Sequence, residues 1–311
     1  MNTKTLNSDA LLLLTAVIWG FAFVAQRAGM DYVGPFTFTG IRFALGSLVL
    51  FPFVLVFNRK NLAAGKKVKA TDTGVFRLGG ALAGLALFTG ASLQQVGLVY
   101  TTAGNAGFIT GLYVVIVPIL GLFFKQRANT GSWIGAVLAA CGLYFLCITE
   151  EFTIAYGDFL ELAGAFFWAG HVLIIAWFSP RMNPLKLALA QYLTCSVLSL
   201  ITAMIFEVIT LGGILQAAVP IFYGGALSVG MAYTLQVIAQ RNANPAHAAI
   251  ILSLEAVFAA LGGWYILGEI LSFRGLLGCG LMLIGMLSSQ LWGLMRIPNA
   301  DVTTAKSSSP R

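Results

Sequence analysis

Apolar runs of about 20 residues recur from one end of this chain to the other, each long enough to cross about 30 Å of hydrocarbon as a helix. Of its 311 residues, 59% are hydrophobic and 9% charged, with a mean hydropathy of +0.88. An ordinary soluble domain carries roughly 25% charge. A water-facing surface cannot be made from this composition, so the bilayer is the solvent. The runs predict ten spans, over 10–29, 34–57, 75–98, 101–124, 130–149, 157–178, 185–206, 219–240, 245–267 and 273–294. Lys4 precedes the first run, but no small-x-small cleavage site follows within it, so it reads as a retained helix rather than a signal peptide.

The net charge of +7 gathers in short connections, not on a basic soluble segment interleaved with aromatics, which excludes nucleic acid as the partner. With the N-terminus in the cytoplasm, fifteen lysines and arginines fall on the inner side, five of them (Arg59, Lys60, Lys66, Lys67, Lys69) in the connection 58–74. Only Arg27 and Arg274 fall outside, and Arg42 lies within a span. The positive-inside rule therefore predicts a multi-pass protein of a bacterial-type inner membrane with both termini cytoplasmic, including a disordered tail over 297–311. Cys141, Cys147, Cys195 and Cys279 all sit in apolar runs without metal-ligand spacing and read as packing residues. No metal and no cofactor is expected.

The chain also repeats itself. AVIWGFAF from Ala16 aligns with AFFWAGHV from Ala165, setting Trp19 against Trp168, and PFTFTGIRF from Pro35 aligns with PLKLALAQY from Pro184, both at a separation of 149. Beyond the basic connection the separation becomes 142, where Leu93-Gln94 matches Leu235-Gln236, and then 143, where Gly135 to Gly142 matches Gly278 to Gly285. The expected fold is thus all-α and integral to the membrane, with ten transmembrane helices forming two five-helix repeats over 11–147 and 157–291. Five is odd, so the second copy enters the membrane inverted, which is a transporter architecture with its site between the copies. The pairs Gly80/Gly84, Gly107/Gly111 and Gly131/Gly135 offer small faces for close helix packing.

Several ordered segments in both halves resemble the EamA-type members of the drug/metabolite transporter superfamily. They are Trp19-Gly20, Pro35 with Arg42, and YTTAGNAGFITGLYVVIVP from Tyr100 to Pro118 in the first half. The second half has Gln191, NPAHAAIILSLEAVFAALGG from Asn244 to Gly263, and Gly268-Glu269. The resemblance covers nearly the whole chain and implies ten helices and export of amino acids, related metabolites or toxic compounds. Two departures stand out: Ala256 follows Glu255 where the family often has proline, and Lys125-Gln126-Arg127 stands where a Gly-Glu pair would end the fourth helix.

An ionisable side chain within the bilayer costs at least roughly 2.5–3.5 kcal/mol on insertion scales, so each is a functional candidate. Glu255 lies ten residues past Pro245, about 15 Å deep, and Arg42 eight past Gly34, about 12 Å. Under the repeat, polar residues pair: Arg42 with Gln191, Gln94 with Gln236, Asn105 with His247, and Tyr113 with Glu255. These, with Trp19, Trp168 and His171, are the expected substrate and coupling residues around a midplane site. Interhelical hydrogen bonding that merely holds the bundle is the competing explanation for the amides, and packing for His171 and the tryptophans. No Gly-x-x-x-x-Gly-Lys-Ser/Thr loop exists to hold ATP. The partners expected are therefore the lipid bilayer, a small-molecule solute and protons, as for a secondary exporter of an amino acid or related amphipathic metabolite. A membrane-embedded enzyme or a channel-like facilitator are the alternatives. His-Glu-x-x-His and Gly-x-Ser-x-Gly are both missing, Gly225 to Gly230 being one residue too long for the latter.

Overall fold

The computed structural model describes residues 3–63, 73–122, 130–147, 154–178, 181–233, 235–236, 251–252 and 254–295. Among them every regular element is helical: α1 (Thr3–Gly29), α2 (Pro35–Ala63), α3 (Thr73–Tyr100), α4 (Ala103–Gly111), α5 (Tyr113–Gly121), α6 (Thr130–Cys147), α7 (Tyr156–Phe178), α8 (Pro184–Phe206), α9 (Leu211–Gln216), α10 (Ala218–Phe222) with a π-helical continuation over Tyr223–Ala232, α11 (Glu255–Leu267) and α12 (Phe273–Met295). Seven helices are long and apolar enough to cross a membrane, α4 and α5 together making one over Ala103–Gly121. Ala218–Ala232, Glu255–Leu267 and Phe273–Ser288 are shorter apolar helices. Most of the connection 58–74, residue His247 and the tail 297–311 lie outside the described residues.

The helix boundaries follow from local chemistry. Asn183 caps α8 by accepting hydrogen bonds from Leu185 N (2.9 Å) and Lys186 N (3.3 Å), with Pro184 at the first helical position where its missing N–H costs nothing. Thr102 caps α4 by accepting from Asn105 N at 3.1 Å. At the end of α11, Gly268 adopts φ 67°, a left-handed conformation that only glycine takes without strain, and turns the chain back at Glu269.

Two helices break where the sequence suggested continuity. Leu112 interrupts the span 103–121 by donating its N–H three residues back, to Ile109 O (3.1 Å), and α5 then starts at Tyr113. Leu254 does the same toward Ile251 O (3.2 Å), and α11 starts at Glu255. Neither break needs proline. Ala256 in the place of the family's proline therefore does not prevent a turn before Glu255.

The helices pack as α6 on α12, α3 on α7 and α8, α2 on α8 and the π segment, α11 on α1 and α4, α7 on α4 and α5, and α1 on the π segment. Small residues set these crossings: a carbon added to Gly84 would stand 2.5 Å from Thr194 on α8, and one added to Gly107 2.4 Å from Ala259 on α11. The α6/α12 crossing sets backbone against backbone. A side chain begun at Gly278 would lie 2.7 Å from Gly142 O, and one at Gly285 2.8 Å from Gly135 O. Gly278→Val should therefore destabilise the protein by about 1–3 kcal/mol through overpacking. Its thermal unfolding in detergent should fall well below that of Gly280→Ala, whose added carbon meets nothing within 4 Å. Equal melting of the two variants would mean that the crossing yields.

Candidate functional site

The packed helices leave a cavity of about 680 Å³ between them. Trp19 of α1, Arg42 of α2, Gln94 of α3, Tyr113 at the start of α5, Trp168 and His171 of α7, Gln191 of α8, Gln236 beyond the π segment and Glu255 at the start of α11 all line it. The side chains singled out in the sequence thus converge, with two exceptions. His247 is outside the described residues, and Asn105 turns instead toward Asp158, its Nδ2 3.4 Å from both carboxylate oxygens.

The site has an apolar wall and a few aimed polar groups. Arg42 is 4% exposed, and its guanidinium lies over the rings of Phe43 (5.1 Å) and Phe38 (5.8 Å). Its Nε has no hydrogen-bond partner, nor has Trp168 Nε1, so each keeps a donor unspent. Glu255 is 6% exposed and forms no ion pair with Arg42: Arg27–Asp31, at 3.3 Å, is the pair found among the described residues. The two nevertheless share the cavity.

His171 Nε2 stands 2.7 Å from Gln191 Oε1, and because an amide oxygen only accepts, that ring nitrogen carries the hydrogen. The imidazole meets Trp168 edge-on, with centroids 5.9 Å apart. Trp19 donates from Nε1 to Ser228 O (3.3 Å) and packs edge-on against Tyr233, which in turn touches Tyr192. Gln94 donates to Thr110 Oγ1 at 3.1 Å, and Thr110 donates to Glu161 Oε2 at 3.0 Å. Glu161 and Asp158 are not among the residues that the sequence analysis singles out. Two carboxylates one turn apart within the run 157–178 were the signal that could have exposed them.

The lining runs down to Pro184 and Leu185 at one end of the bundle. At the other end carboxylates tie helices together. Glu207, following α8, accepts from Phe36 N (2.7 Å), Thr37 N (2.8 Å) and Thr37 Oγ1 (2.7 Å) at the start of α2. Glu269 accepts from Ala103 N (2.7 Å) and Gly104 N (3.2 Å) at the start of α4. Asp158 accepts from Thr101 Oγ1 and Asn105. A carboxylate on free N–H groups at a helix start gains from both the hydrogen bonds and the helix dipole.

The model of the EamA-like transporter family matches residues 6–148 and 155–289. An uncharacterized transporter of Archaeoglobus fulgidus is 35% identical over 289 residues, 91% of this chain and 86% of its own. The threonine/homoserine exporter RhtA of Escherichia coli K12 is 27% identical over 294 residues, 90% of each chain. The uncharacterized transporter YoaV of Bacillus subtilis is 21% identical over 281 residues, 88% of this chain and 94% of its own. A solved crystal structure with 18% identity covers 93% of this chain and 98% of its own at a TM-score of 0.64, which marks a shared fold.

Removing the α2 cap has a definite cost. Glu207→Ala leaves Phe36 N and Thr37 N without their acceptor, and should lower stability by about 1–3 kcal/mol. Glu207→Gln, which keeps one acceptor oxygen, should lose less in the same thermal unfolding measurement. Two variants as stable as the parent would mean that water replaces the cap.

Proposed function

The chain belongs to the EamA-like transporter family, and from that premise we propose that it is a secondary exporter of a small amphipathic metabolite of the amino-acid type. It would work by alternating access around the cavity lined by Arg42 and Glu255. The observation that carries this reading is the cavity itself, where a buried guanidinium with an unspent donor, a buried carboxyl and an aromatic wall face one another. An arginine suits a solute carboxylate because it can hold both oxygens at once. RhtA, named as exporting threonine and homoserine, supports the amino-acid class.

The ten-span, inverted-repeat arrangement over 11–147 and 157–291 is part of the same proposal. Counting spans in order, the third meets the sixth and seventh as the eighth meets the first and second. The fourth meets the sixth as the ninth meets the first, while the pairs two and seven, four and nine, five and ten map onto themselves. Gly142 against Gly278 and Gly135 against Gly285 is the same exchange at the residue level. Breaks before Tyr113 and before Glu255, 142 residues apart, give each copy a discontinuous helix starting at the cavity, as transporters use to meet charged groups. The channel and enzyme alternatives lack a comparable observation.

The basic connections orient the molecule in a bacterial-type inner membrane with both termini in the cytoplasm, so the cavity reaches inward at Pro184 and the carboxylate ties lie outside. Lys66→Cys and Ala305→Cys should escape an impermeant thiol reagent in intact cells and react after lysis. Labelling in intact cells reverses the orientation.

Glu255 is the proposed coupling group: a buried carboxyl lining the cavity, opened in turn to the two sides of the membrane, can exchange a proton for solute. In vesicles, the parent should carry radiolabelled L-threonine or another member of a neutral amino-acid panel saturably and respond to an imposed pH gradient. Glu255→Gln should keep exchange and lose the response to the gradient, whereas Arg42→Gln should lower flux of the carboxylate-bearing solute tenfold or more, an effect of about 1.4 kcal/mol. A Glu255→Gln protein that still follows the gradient ends its coupling role and leaves His171 or a proton-independent mechanism.

A further inference from the structure

Glu161 is fully buried on α7, and the structure gives it a connection that the site above does not use. Its Oε2 accepts from Thr110 Oγ1 (3.0 Å), whose hydroxyl accepts in turn from Gln94 Nε2 (3.1 Å); Thr110 and Gln94 both line the central cavity. Its other oxygen, Oε1, is buried without a partner, pressed against α3 where a carbon on Gly97 would stand 2.9 Å away. Asp158, one turn earlier and also buried, carries the acid character on to Thr101 at the end of the bundle where α4 begins.

No cation answers these two acids among the described residues. Helices α3, α4 and α5 pack against α7. Their charged or titratable residues are Arg77, twenty residues from Gly97 along α3 and so about 30 Å away by helical rise, Tyr100, which stacks on Tyr156, and Tyr113 at the cavity. On α7 itself the groups are Asp158 and His171, the latter about 15 Å along the helix and bonded to Gln191. From α6, Cys147 reaches Asp158. Asp158 is met by Thr101 Oγ1 and Asn105 Nδ2, whereas Glu161 has the single donor Thr110. Oε1 of Glu161, a buried oxygen with no donor aimed at it, is the atom positioned to carry a proton.

We propose that Glu161 is a second proton-binding residue of transport, tied to the solute cavity through Thr110 and Gln94. The proposal rests on the transporter reading above. Its logic is directional: both hydrogens in the chain point from the cavity to the acid. When Glu161 is charged, Thr110 makes a stronger, charge-assisted bond and holds Gln94 away from solute; when Glu161 is neutral, the chain slackens and the Gln94 amide is free to donate into the cavity. Proton occupancy at Glu161 thereby sets how the cavity receives a solute, without Glu161 touching it.

The test uses the full chain in lipid vesicles and two readouts. Infrared spectroscopy at neutral pH reports the carbonyl band of protonated carboxyl groups: with Glu255→Gln removing the other buried acid of the cavity, a band should remain, and adding Glu161→Gln should abolish it. Counterflow of radiolabelled L-threonine measured across pH should keep a pH dependence in Glu255→Gln and lose it when Glu161→Gln is added, with substantial flux retained. A band untouched by Glu161→Gln, or an unchanged pH profile, overturns the proposal. Should Glu161→Gln not fold, Thr110→Val keeps the acid and removes the donor to Oε2. The band should then change frequency, and an unshifted band counts against the proposal. Absence of saturable threonine flux in the parent would instead strike the transport reading or its solute class, and the infrared result would still decide whether Glu161 holds a proton.

Discussion

Inside hydrocarbon no water is at hand to satisfy a peptide group, so every place where a helix stops within the bilayer must find its partners in the protein. That constraint organises this molecule. At Leu112 and Leu254 the backbone N–H bonds three residues back, to Ile109 O and Ile251 O. These turns are admitted because each opens onto the protein's own cavity, where Tyr113 and Glu255 follow, rather than onto lipid. The starts of α2 and α4 are answered in the same way, by carboxylates lent from Glu207 and Glu269, just past the ends of α8 and α11. A carboxylate lent across sequence distances of about 170 residues fixes the relative position of two helices as well as the cap itself.

Where the two halves differ, the differences fall on charge. The polar positions around the cavity recur in both halves, but the strongest acid and base lack a like partner: Arg42 corresponds to Gln191, and Glu255 to Tyr113. His171 corresponds to Ala22, and Glu161 to Leu12. On the inverted-repeat reading, the scaffold supplies the exchange of conformations and the asymmetric charges supply the direction of coupling, since a strictly symmetric cavity would treat its two sides alike.

Much of this was legible in the sequence because its cause is periodic. Bilayer thickness sets the length of the runs, and on the inverted-repeat reading duplication sets the spacing of Trp19 with Trp168 and of Gln94 with Gln236, all four of which line one cavity. Asn105 shows the limit. It has the right chemistry and a repeat partner, yet it sits in the first turn of α4, about two turns from Tyr113, at the level of Asp158 and clear of the cavity. Depth, not type, decides. The breaks were illegible for another reason: Leu112 and Leu254 are good helix formers, and what interrupts the helix is the tertiary setting rather than local propensity. Glu207 and Glu269 hid because a cap supplied from far along the chain leaves no local signature.

The distribution of polar ties also bears on how such a machine could move. All three carboxylate ties, from Glu207, Glu269 and Asp158, gather at the end where α2 and α4 start, while the cavity lining continues to Pro184 at the other. On the alternating-access reading this is a state closed at the carboxylate end. Each tie is a charge-assisted hydrogen bond, worth more than a neutral one but far less than the apolar burial that holds α6 to α12 or α3 to α7. Ties of that size suit a gate: a few kcal/mol separates the two populations, and a solute or proton that binds one of them better can shift the balance. The glycine crossing of α6 and α12, with backbone against backbone, has no such graded response, since it is either packed or lost. Movement is therefore expected where carboxylates hold helix starts, about a pair of helices that stays fixed.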